Sequence, residues 1–207
     1  MSNKYGHRTH NWFEAIVNKL GGEERADRFL RGELSVVEVK GNLLEDDIGT
    51  ITMTRTSDKF IACEKFVVNI GQDAPAKINH ISGDFVDWFL LCYGKIEDPI
   101  CGKTLRRSKL LKDSLDTSII AELGGEEKSE TTLTEIFSLI KNQKNGEFGV
   151  LLASSRINIF YVRDQNGVFR TVIVSWGGYG WDINAEVPNL HRWRAGTRVF
   201  SRNFSGS

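Results

Sequence analysis

Cysteine is scarce: Cys63, Cys92 and Cys101 are the only three in 207 residues, an odd number with no CxxC spacing. That pattern excludes a disulfide framework and reads as reduced thiols in a cytosolic protein. An excess of charge of one sign is also missing. Lys plus Arg and Asp plus Glu both number 27, so the chain as a whole gives no electrostatic case for nucleic acid or a membrane surface. No apolar run approaches the roughly 18 residues that a membrane span needs. No apolar segment follows the polar opening Met1–His10 either, so neither an anchor nor a secretory leader is expected and the setting reads as cytoplasmic. With four histidines, the places for imidazole chemistry are few.

What is present is ordinary globular material, 40% apolar and 26% charged, and one stretch dominates it. Val150–Val187 reads as three consecutive antiparallel strands. Arg156–Arg163 and Val168–Trp176 are dense in β-branched and aromatic residues, types that suit a pleated, half-buried surface. Between them, Asp164-Gln165-Asn166-Gly167 supplies Asp for the start of a type I turn and Gly for the left-handed position after it. A three-residue loop with a bulge at Gly167 pairs Arg163 with Phe169 and Tyr161 with Thr171. The competing two-residue Asn-Gly turn sets Arg163 opposite Arg170, a like-charge pair, so the bulged turn is expected. One face then carries Ile157, Ile159, Tyr161, Phe169, Thr171 and Ile173; the other carries Phe160, Val162, Val172, Val174 and Trp176. Apolar residues on both faces imply a sheet covered on two sides. Gly177-Gly178-Tyr179-Gly180 makes the next reversal, and Trp181–Val187 returns as the third strand.

Helical patterns lie upstream. Asn11-Trp12-Phe13-Glu14 reads as a capping box, followed by the stripe Phe13, Ile16, Val17 and Leu20 and a stop at Gly21. Glu23-Glu24 open a second helix with Ala26, Phe29 and Leu30 facing inward and Gly32 ending it. Residues 9–32 are therefore expected as an N-terminal helical hairpin, 33–203 as one α+β domain and 204–207 as a flexible tail. Leu34–Val39, Ile48–Thr54, Phe60–Ile70 and Ile78–Ile81 read as short strands, and Phe85–Tyr93 fits either a strand or a short helix. Thr104–Leu123 reads as a helix, with Leu111, Leu115, Ile119 and Leu123 at four-residue intervals and a break near Asp116–Ser118. The clearest helix opens on the capping box Thr132-Leu133-Thr134-Glu135, carries Leu133, Ile136, Phe137 and Ile140 on one side and closes at Asn145-Gly146. The expected fold class is α+β, an antiparallel meander over residues 150–187 packed by two or three helices. The pentapeptide Leu-Gly-Gly-Glu-Glu occurs at Leu20–Glu24 and Leu123–Glu127; shared helix-stop and helix-start chemistry explains it without a duplication.

Several stretches together resemble an uncharacterised family of hypothetical proteins from ultra-small candidate-phylum bacteria. They are LGGEE-x-A-x-RFLRGEL near the start, KFVVN at Lys65–Asn69, AELGGEEKSETTLTEIF at Ala121–Phe137, NIFYVRDQNGVFRTVIVSW at Asn158–Trp176 and RVFSRN at Arg198–Asn203. The resemblance covers residues 58–203 and, separately, 20–34. It implies a bacterial cytoplasmic setting and one co-folding unit after residue 58, and it carries no activity, cofactor or catalytic residue with it.

Motifs for specific chemistry are mostly absent. Gly102-Lys103-Thr104 ends like a phosphate-binding loop, but the first glycine of that pattern is replaced by Glu97 and Pro99 stiffens the loop. Gly178-Tyr179-Gly180 runs into a strand rather than a helix, which excludes a dinucleotide fingerprint. His7 with His10, and the acids Glu45-Asp46-Asp47, lack the further ligands of a metal site, so no metal or other cofactor is expected. Cys92 with His80 and Asp84 or Asp87 is a possible thiolate–imidazole arrangement, against which stands the apolar run Phe89–Tyr93, where cysteine packs as a small hydrophobe. No residue is therefore assigned as catalytic. From Val150 onward the chain has seven Arg and no Lys against three acids. Trp176, Tyr179, Trp181, Arg192, Trp193, Arg194 and Arg198, with His191 beside them, form the richest candidate for ligand binding, since aromatic faces and guanidinium groups stack rings and pair anions. The alternative packs Trp176 and Trp181 in the core and seals its edge with Trp193, the arginines lying over the apolar rim. The functional expectation is a non-catalytic binding or interaction module using this Arg/Trp-rich surface, its partner left open between a protein and RNA, with no membrane. An RNA- or nucleotide-binding accessory factor, or a small cysteine-dependent hydrolase or transferase, is the alternative.

Overall fold

The hairpin at the centre of the chain forms as its turn chemistry dictates. In a computed structural model describing residues 14–18, 22–33, 42–100, 102, 104–154 and 156–202, with the side chains of residues 46–49 excepted, strands β6 (Asn158–Arg163) and β7 (Phe169–Trp176) are antiparallel. Arg163 pairs with Phe169 and Tyr161 with Thr171, the register expected for the bulged turn. Asp164 N–H donates to Val168 O (2.8 Å), and Gly167 N–H to Asp164 O (3.1 Å) with Gly167 at φ 78°. The Asp164 carboxylate accepts from Asn166 N, Val168 N and the Arg170 guanidinium at 2.8 to 2.9 Å.

Burial pushes the Asp164 carboxyl up, but the bonds from Val168, Arg170 and Asn166 outweigh it and hold the group below its ordinary value. A carboxyl with a depressed folded pKa stabilises fully above its unfolded value, near pH 4, and that contribution is lost as pH falls through the folded value. Asp164→Asn is thus expected to lower the urea midpoint at neutral pH, with the gap to the native protein closing in acid. A gap that stays constant with pH would remove the carboxylate from the account.

Strand β8 (Trp181–Glu186) completes the meander against β7, pairing Trp176 with Trp181 and Thr171 with Glu186. The full sheet has seven strands in the order β1-β5-β9-β6-β7-β8-β3, with β1 Leu44–Thr52, β3 Ile78–Ile81, β5 Thr104–Leu110 and β9 Arg198–Arg202. It is mixed rather than wholly antiparallel: β3 runs parallel to β8 and β9 parallel to β6. β9 joins the β1–β5 pair to the β6–β7–β8–β3 group. A separate two-stranded pair is formed by β2 (Phe60–Ile61) and β4 (Ile96–Glu97).

Both faces of the sheet are covered. On one lie Phe160, Val162, Val172, Val174, Trp181 and Ile183, packed by helix α7 (Leu133–Asn142) and by the rings of Phe60, Phe66, Phe85, Phe89 and Phe137, with centroid separations of 5.0 to 6.1 Å. On the other lie Ile159, Tyr161, Phe169 and Val199, covered by Ile119 and Leu123 of helix α5 (Asp116–Leu123) and by Trp193. The α7 capping box is complete, Thr132 Oγ1 accepting from Glu135 N and Glu135 reaching back to Thr132 N. Buried Glu97 adds to it, accepting from the N–H groups of Leu133 and Thr134 and from the Thr134 hydroxyl, so the orphan donors of the helix start are satisfied. A short helix α6 (Glu126–Ser129) follows Gly124 and Gly125, both at positive φ.

Several expected elements differ. Thr104–Leu110 is a strand, because pairing with β1 on one side and β9 on the other overrides a helical spacing that is local. Only Asp116–Leu123 of that stretch is helical; Leu111 is exposed and Leu115 precedes the helix. The run expected as a strand over Phe60–Ile70 is β2 followed by the helical turn α3 (Ala62–Lys65), leaving Val67, Val68 and Ile70 exposed. Of Phe85–Tyr93, the part up to Leu90 is helical and Leu91–Tyr93 form a turn: α4 (Gly83–Phe85) continues as one π turn over Val86–Leu90, with Ser82 Oγ accepting from Phe85 N and Phe85 and Phe89 both fully buried. Residues 150–154 and 156–157 are loop, not the start of a strand. Their conformation is fixed by buried Asn158, which accepts from Leu152 N and donates to Leu152 O and Val174 O.

The chain divides into two compact units, Met1–Gly41 and Asn42–Ser207. In the first, residues 14–18 are helical (α1) and α2 spans Glu23–Leu30, ending at Arg31 and Gly32. Ala26 is buried, but Phe29 and Leu30 are 38% and 80% exposed, contrary to the inward face expected for all three; so short a unit cannot surround every apolar side chain. The capping box at Asn11, the stop at Gly21, the strand at Leu34–Val39 and the tail at 204–207 lie outside the described residues. Among the described residues no helix is long and apolar enough to cross a membrane.

Candidate functional site

The tryptophans and arginines of the C-terminal third divide between the two faces of the sheet. Strand alternation is the reason: β8 points Trp181, Ile183 and Ala185 towards α7, and β9 points Arg198 and Phe200 the same way while Val199 faces α5. Trp181 is fully buried and donates Nε1–H to Gln143 O at 2.8 Å. Half-buried Trp176 meets it edge to face at 5.2 Å and lies against Gly146, which at φ 68° has no side chain to obstruct the ring. Arg198 donates to Val150 O at 2.6 Å. Tyr179 stands 77% exposed at the tip of the β7–β8 turn. Trp193 belongs to the opposite core, 6% exposed, its Nε1–H donated to Asp116 Oδ1 at 2.7 Å. The seven residues therefore do not form one surface patch, and Trp181 presents nothing to a ligand.

Part of the set does converge. Arg192, Trp193 and Arg194 line one open pocket of about 460 Å³ with His191, Thr197 and Arg156. Arg156 precedes β6 in the loop, and its Nη1 donates to Ala195 O at 2.8 Å, with the guanidinium lying over Gly196 where a side chain would collide with it. Gly196 at φ 87° supplies both the bend and the space. Arg192 is steadied by Asp113 O at 3.4 Å, and Asp113 Oδ1 accepts from Ala195 N at 2.8 Å. The Arg194 side chain has no hydrogen-bond or ion-pair partner among the described residues. The pocket thus presents three guanidinium groups and one imidazole, with no carboxylate among its lining residues.

Beneath the pocket is a buried polar network that the sequence does not reveal. Asp116, with no exposed surface, accepts from the Tyr161 hydroxyl (2.8 Å), the Thr171 hydroxyl (3.3 Å), the Trp193 indole (2.7 Å) and Asn189 N (2.7 Å). The Tyr161 hydroxyl is pushed well above its ordinary pKa, by burial first and by the Asp116 charge next. Glu186 ends β8 on the same face, 8% exposed; its Oε2 is 3.1 Å from His191 Nδ1, and its Oε1 is buried with no partner. Burial pushes the Glu186 carboxyl above its ordinary value; His191 opposes that rise and Asp116 adds to it. His191 itself is 62% exposed at its side chain, at the pocket rim.

Asp116 reads in the sequence as a turn residue and Glu186 as the last of an alternating strand. The side-chain partners of Asp116 are 45 to 77 residues away, so no local pattern marks it; Glu186 meets His191 in the loop that follows its own strand, a contact that strand alternation does not reveal. The one available signal is Glu186 falling on the face that Thr171 and Ile173 occupy in the neighbouring strand. Arg156 reads only as the start of a strand.

The other candidates do not assemble. Cys92 is exposed rather than packed as a small hydrophobe, at φ 60°, and among the described residues no hydrogen bond joins it to the exposed His80. No cluster of three or more His, Cys, Asp or Glu able to hold a metal occurs among the described residues, and His7 and His10 lie outside them. No family model, curated protein or solved structure matches the chain.

Proposed function

We propose that the protein is a non-catalytic binding module whose recognition site is the pocket of Arg156, His191, Arg192 and Arg194, and that its ligand carries a compact anionic group such as a phosphate or carboxylate. The observation that carries this reading is the convergence of three guanidinium groups on one concave surface, with Arg194 unengaged. Guanidinium forks match carboxylate and phosphate oxygens in pairs, and charge-assisted hydrogen bonds are about twice as strong as neutral ones. Arg156 and Arg192 are already held by Ala195 O and Asp113 O, which reduces the ordering that a ligand must impose. The bacterial cytoplasmic setting implied by the resemblance is part of the same proposal.

The RNA-binding reading has less support. Base recognition on single strands needs exposed aromatic faces. Trp181 and Trp193 are 0% and 6% exposed, and Tyr179, the exposed ring of the set, does not line the pocket.

Arg194→Ala is expected to weaken inorganic phosphate binding by roughly ten- to a hundredfold, the loss of one charge-assisted bond of about 1.5–3 kcal/mol. Because the side chain is exposed, folding stability should change by less than about 0.5 kcal/mol. Heteronuclear NMR titration reads the first and a urea melt the second. Absence of phosphate-induced shifts around the pocket, or an equal loss in the Tyr179→Ala control, overturns the proposal.

A further inference from the structure

We infer that the pocket takes up its anion together with a proton, which is held on His191 and kept there by Glu186. The inference rests on the anion-binding reading above and goes further by making affinity depend on the protonation of one named residue.

Glu186 is short of hydrogen-bond donors. A carboxylate removed from water needs hydrogen-bond donors on both oxygens. Here Oε1 is buried without any, and Oε2 meets only His191 Nδ1 at 3.1 Å. The neighbouring acid offers no relief: the oxygens of Asp116 are already occupied by the Tyr161, Thr171 and Trp193 side chains and by Asn189 N. Asp116 and Glu186 repel each other, and a proton on His191 is the nearest compensation for that repulsion.

His191 has reasons to refuse the proton as well. From its own loop it faces Arg192 and Arg194, and Arg156 faces it from the loop before β6. These three positive charges act on the imidazole from the pocket side. Glu186 from β8 and Asp116 from the start of α5 act from behind, while Asp113, before α5, is bonded to Ala195 N. In the empty pocket the two sets oppose each other. An anion seated among the arginines cancels the repulsive set and leaves the attractive one. With Nδ1 turned to Glu186, Nε2 is the imidazole nitrogen left to donate to the bound group, and among the described residues it has no partner. Binding and protonation therefore favour each other, and by linkage the factor by which the anion raises proton affinity equals the factor by which the proton raises anion affinity. In this scheme Glu186 is a positioning residue: it orients the ring and favours its charged form without touching the ligand.

The test uses sodium sulfate, whose charge is fixed across the relevant range, so that any pH dependence belongs to the protein. Ionic strength is held constant with chloride, and the full chain is titrated by NMR from about pH 8 to about pH 6, spanning the ordinary histidine value. The expected result is a rise in sulfate affinity of roughly tenfold over that interval, with the His191 Cε1–H titration moving to higher pH at saturating sulfate. His191→Gln, at an exposed position, should bind sulfate weakly and with no pH dependence. Glu186→Gln should keep the pH dependence but move its midpoint to lower pH, a displacement that a merely structural role for Glu186 does not produce. Sulfate affinity that is flat with pH in the native protein overturns the inference and leaves the pocket reading intact. No sulfate binding at any pH overturns both.

Discussion

Asp116→Ala is expected to destabilise the protein by on the order of 3–5 kcal/mol, because several buried neutral donors lose the one acceptor they share. Four donors converge on this carboxylate, from Tyr161, Thr171, Trp193 and the backbone of Asn189. In the alanine variant none has a replacement partner nearby, and each buried donor left unsatisfied costs about 1–3 kcal/mol before relaxation. Those losses overlap, because water entering the vacated volume serves more than one donor, so the total falls below the simple sum. Set against a total stability of about 5–15 kcal/mol, the variant should be marginally folded at 25 °C. Asp116→Asn preserves the shape, but its amide nitrogen must face one of the donors, so a smaller, still measurable loss is expected. Urea midpoints of the two variants decide the matter. A loss under about 1 kcal/mol for Asp116→Ala would mean that the network contributes little. Because Asn189 and Trp193 flank His191, the alanine variant should also blur the pocket, and sulfate binding should fall with stability rather than independently of it.

Trp181→Ala is the second large effect, expected at about 3–5 kcal/mol. The indole is fully buried between the sheet and α7, so its removal opens a cavity as well as forfeiting the transfer of its surface from water. It also removes one of the two hydrogen bonds that Gln143 O accepts, leaving the one from Gly146 N. Gln143 is itself a junction: its side-chain amide donates to Glu147 O and Leu151 O and accepts from Leu151 N, holding the loop between α7 and β6. Trp181→Phe separates the two contributions, keeping most of the volume while removing the N–H. The phenylalanine variant should recover more than half of the loss by calorimetry. If it is as damaging as alanine, the hydrogen bond to Gln143 is the dominant part. Neither variant should alter sulfate affinity in the molecules that remain folded, since Trp181 faces away from the arginine pocket.

What could be read from the sequence was what is decided locally. The register of β6 with β7 follows from Asp164, Gly167 and the avoidance of Arg163 opposite Arg170. The α7 start follows from Thr132 and Glu135, three residues apart. Both turn on chemistry within a few residues, and the two-sided sheet follows from alternation along two adjacent strands. The strand at Thr104–Leu110 was hidden because its state is decided by β1 and β9, which are distant in sequence. Reading the C-terminal third as one Trp/Arg surface failed for a related reason. Residues near one another in sequence on successive strands point to opposite faces according to a phase that composition does not reveal. The portion that survives, Arg192, Trp193 and Arg194 with His191, lies within one loop, where proximity in sequence does mean proximity in space. Arg156 joins it only through the parallel adjacency of β6 and β9.

That adjacency also governs how the protein is made. Strands leave the ribosome in order, and domains assemble as their parts emerge. β9 is the last strand of the seven, yet its place is between β5 and β6. Until it arrives, the nascent chain holds two half-sheets, each with an open hydrogen-bonding edge awaiting the same partner. Those edges can meet each other wrongly or recruit a neighbouring chain. The arginine pocket cannot exist during that interval, since the loop bearing His191, Arg192 and Arg194 is anchored by β9. The pocket is therefore completed only once β9 has taken its place between β5 and β6.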